Sequence, residues 1–390
     1  VRKKGPHAEN QPKGIAFRSN LLTVMAIGIV LGGALQAAED KAWQKQESRV
    51  QAGLKAMYNT EYDKALHLFQ EVMQNEPFHP MGPLGYLATR WHINEINLGY
   101  EHRNAYFLKD IEQALQIYQA QIDAHPQRPE YVFFYGTVQG LKARVQLGAK
   151  DYWGVLLSTY KAIRSIKVAE ARCPDLPDYH IASAVFNYYI GISAPYMKIA
   201  SWILNISGSK AEGLAGIKAA ADRGNYSRYE AQGLIAYLYF YFEGDYRQTL
   251  HYAQGLMEEF PQNTYYKSLT AEALLGLKQN DKAAAIIKAI KKAVPHLPEK
   301  QRREYELRLH LLDGTLALNR GELDRAEQEL SYFISHYFFE LDYELANAYY
   351  RLAQVYELQK RPAEAQSCYQ KIISLNNRAF VQRLATAARR

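Results

Sequence analysis

Residues 349–369 run Tyr349-Tyr350-Arg351-Leu352-Ala353-Gln354-Val355-Tyr356-Glu357-Leu358-Gln359-Lys360-Arg361-Pro362-Ala363-Glu364-Ala365-Gln366-Ser367-Cys368-Tyr369. Two helical patterns meet here across a short polar break, with apolar positions three and four residues apart on each side. Small Ala365 suits a close crossing of two helices, and bulky Tyr369 follows one turn later on the same face. The segment predicts an antiparallel helical hairpin.

The same arrangement recurs backwards along the chain. Glu322-Leu323-Asp324-Arg325-Ala326 with Leu330 and Phe333 repeats it, with Gly314 in the preceding helix. Asn280-Asp281-Lys282-Ala283 with Ile287 and Pro295, and Glu243-Gly244-Asp245-Tyr246 with Thr249, Ala253 and Pro261, repeat it again. Thr249 and Ala283 lie 34 residues apart, as do Pro261 and Pro295. Near the start, Tyr62-Asp63-Lys64-Ala65 with Phe69 and Pro77 matches strongly, and Asp110–Ala114 with Tyr118 and Pro126 is a looser copy. These units resemble tetratricopeptide repeats, whose period is about 34 residues. Neither helix of such a unit buries its apolar face alone, so neighbours must stack into one core. The expected fold is all-α: a right-handed solenoid of stacked antiparallel hairpins, with longer irregular hairpins in the middle.

On this basis the chain divides into N-terminal hairpins at 39–126, divergent central hairpins at 127–227, a C-terminal array at 228–376 and a basic capping helix at 377–390. The central helices are expected at 130–147, 151–171, 178–192, 196–206 and 210–223, and 295–303 reads as a loop. Residues 1–38 are different in kind. A basic stretch ending at Arg18 precedes the apolar run 21–31, then Gly32-Gly33-Ala34 and Gln36-Ala37-Ala38. That order is the layout of a secretory signal peptide, with cleavage after Ala34, Ala37 or Ala38, or of an uncleaved N-terminal anchor. Arg2, Lys3, Lys4, Lys13 and Arg18 stand against Glu9, so most of the formal charge of +7 sits in this leader. The remainder carries no basic run of the sort a nucleic-acid surface needs. Export to the periplasm or cell envelope is therefore expected. Cys173 and Cys368 read as small buried apolar residues rather than a disulfide pair.

The central stretch Leu176-Pro177-Asp178-Tyr179-His180, Phe186–Gly191 and Trp202–Leu214 is distinctive. It resembles a group of exported bacterial tetratricopeptide proteins. It is more faintly similar to the eukaryotic tetratricopeptide family of the outer mitochondrial membrane associated with inclusion-body clearance. In both, an apolar helix runs into a Gly-containing turn and then an "EGL" helix. Ser207-Gly208-Ser209-Lys210 departs from the aspartate more usual there. The likeness covers residues 176–260 and implies a non-enzymatic helical protein. Locally, Gly208 is expected to end a helix with positive φ and Ser209 to cap the next.

No stretch demands catalysis, a cofactor, a metal or a small-molecule substrate. His92 and Glu95 share a helix face without the further ligands of a metal site, and Asp178 with His180 fits a helix start. Phosphate binding at Ser207–Lys210 lacks P-loop spacing. Stacked first helices present a concave groove, so protein or peptide binding is the natural output. Groove-facing candidates are Tyr265, Glu272, Arg308, Thr315, Tyr350, Gln354 and Glu357. Asn347 and Arg351 alone echo the carboxylate clamp of chaperone-binding relatives. A second reading, a membrane-peripheral envelope-assembly factor, rests on the anchor or on the apolar helix 196–206, with Tyr196, Lys198 and Trp202 at the membrane surface. An enzyme sited in the central segment is the third reading.

Overall fold

In the computed structural model the described residues are 40–97, 100–149, 151–173, 177–192, 208–339 and 341–388. The leader 1–38 and the segment bearing Tyr196, Lys198 and Trp202 lie outside them. Among the described residues every regular element is helical. Consecutive helices pair as hairpins: α1 (40–58) with α2 (Tyr62–Asn75), α3 (Met81–Asn97) with α4 (Tyr100–Ala124), α5 (Pro129–Gly148) with α6 (Tyr152–Arg172), and α7 (Pro177–Ile192) with α8 (Lys210–Arg223). They continue as α9 (Arg228–Leu238) with α10 (Tyr246–Glu259), α11 (Thr264–Gly276) with α12 (Asn280–Ala293), α13 (Glu299–Arg320) with α14 (Leu323–Ser335), and α15 (Tyr343–Leu358) with α16 (Pro362–Leu375). A last helix, α17 (Phe380–Ala388), packs on the end.

The small residues singled out by sequence sit at the crossings. Ala65, Thr249, Ala283, Ala326 and Ala365 are all buried, and Phe69, Ile287, Leu330 and Tyr369 are buried one turn later. The hairpin turns share a device that composition hides. Two residues before the second helix the backbone is left-handed in five hairpins: Thr60, Gly244, Lys278, Gly321 and Lys360, with φ between 59° and 78°. This residue lets the next N–H reach back and cap a free carbonyl of the first helix. Glu61 N donates to Ala56 O, Gln279 N to Leu274 O, Glu322 N to Ala317 O and Arg361 N to Tyr356 O, at 2.8–2.9 Å. In the fifth turn Asp245 N reaches one residue further, to Tyr239 O, because a π-helical turn at Tyr239–Glu243 absorbs an extra residue.

Four expectations change. In the loose copy at 110–114 Ala114 and Tyr118 are buried as the pattern asks, but the helix that carries them is longer than in the other units, since α4 already begins at Tyr100. The stretch 295–303 is loop only to Pro298, so its added residues lengthen α13 by a turn and more. At Gly208 the visible requirement is close approach: a Cβ there would stand 2.2 Å from Ile190 Cγ2, where α7 meets the start of α8. Ser209 does cap α8, accepting from Glu212 N at 3.3 Å. Cys368 is buried, with its thiol pushed up to about 11 by burial, whereas Cys173 is only half-buried.

The stack does not stay open. The α1–α2 turn returns to the middle of the chain. Tyr58 packs edge-on to Tyr229 and against Phe260, Asn263 Nδ2 donates to Tyr58 O at 2.8 Å, and Gln262 N donates to Asn59 Oδ1 at 3.0 Å. Lys55 pairs with Glu259 at 2.7 Å, and Lys300 Nζ donates to Glu95 O at 2.6 Å. The long trough expected from stacking is thus closed over by its own first hairpin, and the residues added to α13 make part of that closure.

Candidate functional site

The space left between the first hairpin and the array is a cleft of about 500 Å3. Its floor is built from first helices of successive hairpins. Tyr237 and the π turn's Tyr241 come from the α9 side, Tyr265 and Tyr266 from α11, Tyr305 and Arg308 from α13, and Tyr343 and Glu344 from α15. Tyr58, Tyr62, His92 and Glu95 of the first two hairpins form the facing wall. Eight tyrosines line the cleft. Their rings supply apolar area while each hydroxyl can still accept or donate, and burial holds the Tyr62 hydroxyl up to about 12.

At one end a buried charge cluster fixes the floor. Arg308 pairs with Glu344 at 2.7 Å, with its guanidinium 4.7 Å over the ring of Phe339. The pair is incompletely satisfied: Arg308 Nε and Glu344 Oε2 are buried with no hydrogen-bond partner. Buried polar atoms normally find one. Glu272 lies next to this cluster. Loss of water, and then the charge of Glu344, push its carboxyl up to about 8. A smaller recess lined by Glu272, Thr315, Asn347 and Arg351 continues from it.

The sequence-derived candidates therefore separate. Tyr265 and Arg308 line the cleft, and Glu272 and Thr315 line the recess beside it. Tyr350, Gln354 and Glu357 stand elsewhere: Tyr350 lies 6.3 Å from the Tyr369 ring, Gln354 accepts from Arg351 at 3.2 Å, and Glu357 accepts from Tyr369 Oη at 2.8 Å. These are contacts in and around the α15–α16 hairpin. Asn347 and Arg351 share the recess with Glu272. His92 sits on the cleft wall, stacked on Tyr62 and 3.7 Å from Glu95. Asp178 is a structural cap, accepting from the backbone of Asn225, Tyr226 and Ser227 at 2.7–3.0 Å. His180 is 3.6 Å from Glu170. Among the described residues no group of three His, Cys, Asp or Glu is placed to hold a metal ion.

Sequence reasoning missed Tyr58, Tyr62, Tyr237, Tyr241, Tyr266, Tyr305 and Tyr343. The available signal was tyrosine on first helices, as in Tyr237 and Tyr241 four residues apart, but the opposing wall had no local signature.

The tetratricopeptide repeat model matches residues 346–379, which is the α15–α16 hairpin. Similar solved structures include a tetratricopeptide repeat protein from Parabacteroides merdae ATCC 43184, at 12% identity over 80% of this chain and 99% of that one, TM-score 0.29. They also include the human IFIT1 dimer with PPP-AAAA, at 13% identity over 90% and 84%, TM-score 0.38. The apo form of the quorum sensor NprR from B. thuringiensis matches at 14% identity over 86% and 99%, TM-score 0.36. No curated protein matches the chain.

Proposed function

We propose that this helical-repeat chain is a non-enzymatic scaffold that holds a segment of a protein partner in the tyrosine-lined cleft, working in the periplasm or cell envelope. The cleft itself carries the proposal. Eight tyrosines from two opposed walls offer large, rigid rings with few rotatable bonds, so little side-chain entropy is lost when a peptide settles among them. At one end of the cleft the Arg308–Glu344 pair sets a cation and a carboxylate beside the tyrosines, which suits polar groups of a peptide and favours one register. The leader, read as an export signal, supports the location.

A photo-reactive phenylalanine analogue placed at Tyr265 on the cleft floor should give a discrete crosslinked adduct in the producing cell. The same group at exposed Glu258 on α10 should not, and Tyr237→Ala with Tyr305→Ala should weaken the Tyr265 adduct about tenfold or more. Equal labelling at both positions would remove the cleft from consideration.

A further inference from the structure

The second helix of the third hairpin has an outward face unlike that of any neighbour. Among the described residues, eleven large hydrophobic side chains are exposed, and five of them are on α6: Trp153, Leu156, Leu157, Tyr160 and Val168. Trp153 is 70% exposed and Tyr160 is 52% exposed. The spacing of 153, 156, 157 and 160 puts them on one side of the helix. The opposite side, with Ser158, Ala162, Ile166 and Ala169, is buried. An apolar patch of this kind on a chain's surface marks an interaction site.

Charge decides what kind. Lys161, Arg164 and Lys167 are exposed along the C-terminal half of the same side, while Arg172 at the helix end donates to Pro126 O at 3.2 Å. The acidic groups of the helix are engaged elsewhere: Asp151 caps its start by accepting from Gly154 N at 2.9 Å, and half-buried Glu170 lies 3.6 Å from His180. The face is therefore aromatic and aliphatic at one end and cationic at the other, with no exposed carboxylate between. No residue of α6 lines the cleft, so the two surfaces can be used at once.

We propose that α6 docks on a bilayer surface rich in anionic phospholipid. Trp153, Leu156, Leu157 and Tyr160 enter the boundary between headgroups and acyl chains, where aromatic rings with a polar edge are favoured. Lys161, Arg164 and Lys167 meet the phosphates, their aliphatic stems lying over the apolar layer. The helix lies on the membrane and does not cross it; no helix among the described residues is long and apolar enough to span.

The test uses the full chain and vesicles of phosphatidylcholine alone or mixed with phosphatidylglycerol, with bromine-labelled acyl chains. The fluorescence belonging to Trp153 is the difference between the wild type and Trp153→Phe. On phosphatidylglycerol vesicles that component should shift to the blue and be quenched by the bromine. Binding should fall about tenfold or more in Lys161→Glu/Arg164→Glu/Lys167→Glu, and in high salt, with thermal melting unchanged. If the chain sediments with the vesicles while the Trp153 component stays unquenched, another segment makes the contact and the proposal is wrong. A concentration-dependent dimer abolished by Leu157→Glu, without any vesicle effect, would overturn it in favour of a second copy.

Discussion

Glu272 illustrates how one side chain acquires properties its sequence position does not announce. It belongs to the Thr264–Gly276 helix in an unremarkable Thr-Ala-Glu-Ala run. Packing removes its water and sets it near Glu344, and both push its carboxyl up to about 8 from an ordinary 4.5. The folded state then binds more protons than the unfolded chain between those values, and stability falls as pH rises through that window. Glu272→Gln, which keeps the shape without the charge, should flatten the decline and raise stability at pH 8.5 by about 2 kcal/mol. Urea unfolding at pH 5.5 and 8.5 checks this, and an unaltered slope would show that the proton is held elsewhere. The left-handed turn residues are equally silent in sequence. Glycine at 244 and 321 advertises the conformation, but Thr60, Lys278 and Lys360 adopt it too, because the capping bond and the following helix offset a strain of about 1 kcal/mol.

Within a hairpin, much more was legible. A small residue at the crossing and a bulky one a turn later specify how closely two helices approach, and Ala283 with Ile287 or Ala326 with Leu330 are buried as the pattern demands. The first hairpins add a constraint the pattern did not name. Phe69 is wedged between Gly53 of α1 and Gly85 of α3, and a Cβ at Gly85 would stand 2.2 Å from its ring. Because Phe69 is wholly buried, it has no room to yield. Gly85→Ala should destabilise by about 1–3 kcal/mol through overpacking. Gly255→Ala, on exposed α10 with nothing near its Cβ position, should instead stabilise by about 0.5–1 kcal/mol through helix propensity. Paired thermal melts of the two variants separate these effects; a loss in both would mean that backbone freedom, rather than contact, governs the glycines.

At the scale of the molecule the decisive event is the return of the first hairpin onto α9–α11. That contact is a small aromatic core, Tyr58 with Tyr229 and Phe260, sealed by Lys55–Glu259 and the Asn59 and Asn263 bonds. Tyr58→Ala removes the ring at its centre and should cost about 3 kcal/mol. It should also enlarge the radius of gyration in solution scattering while leaving the helix content of the far-ultraviolet spectrum intact. An unchanged radius would show that the remaining polar contacts hold the closure alone. The α13 extension belongs to the same event. Its residues read as a loop because Pro295 and Pro298 interrupt the pattern, yet Lys300 bonds Glu95 across the cleft.

The sequence by itself determined the unit of construction. Helical hairpins follow from apolar spacing, a small crossing residue and a terminating proline, all written within about 34 residues of one another, and a hairpin with one greasy face must lean on the next. Only the tertiary structure decided that the stack closes into a cleft, which tyrosines face it, and that burial beside Glu344 raises the Glu272 carboxyl. Each of these depends on residues far apart in the chain, up to about two hundred positions for Tyr58 and Asn263. Their meeting is set by small rotations accumulated from hairpin to hairpin, a quantity that no local pattern of residues encodes.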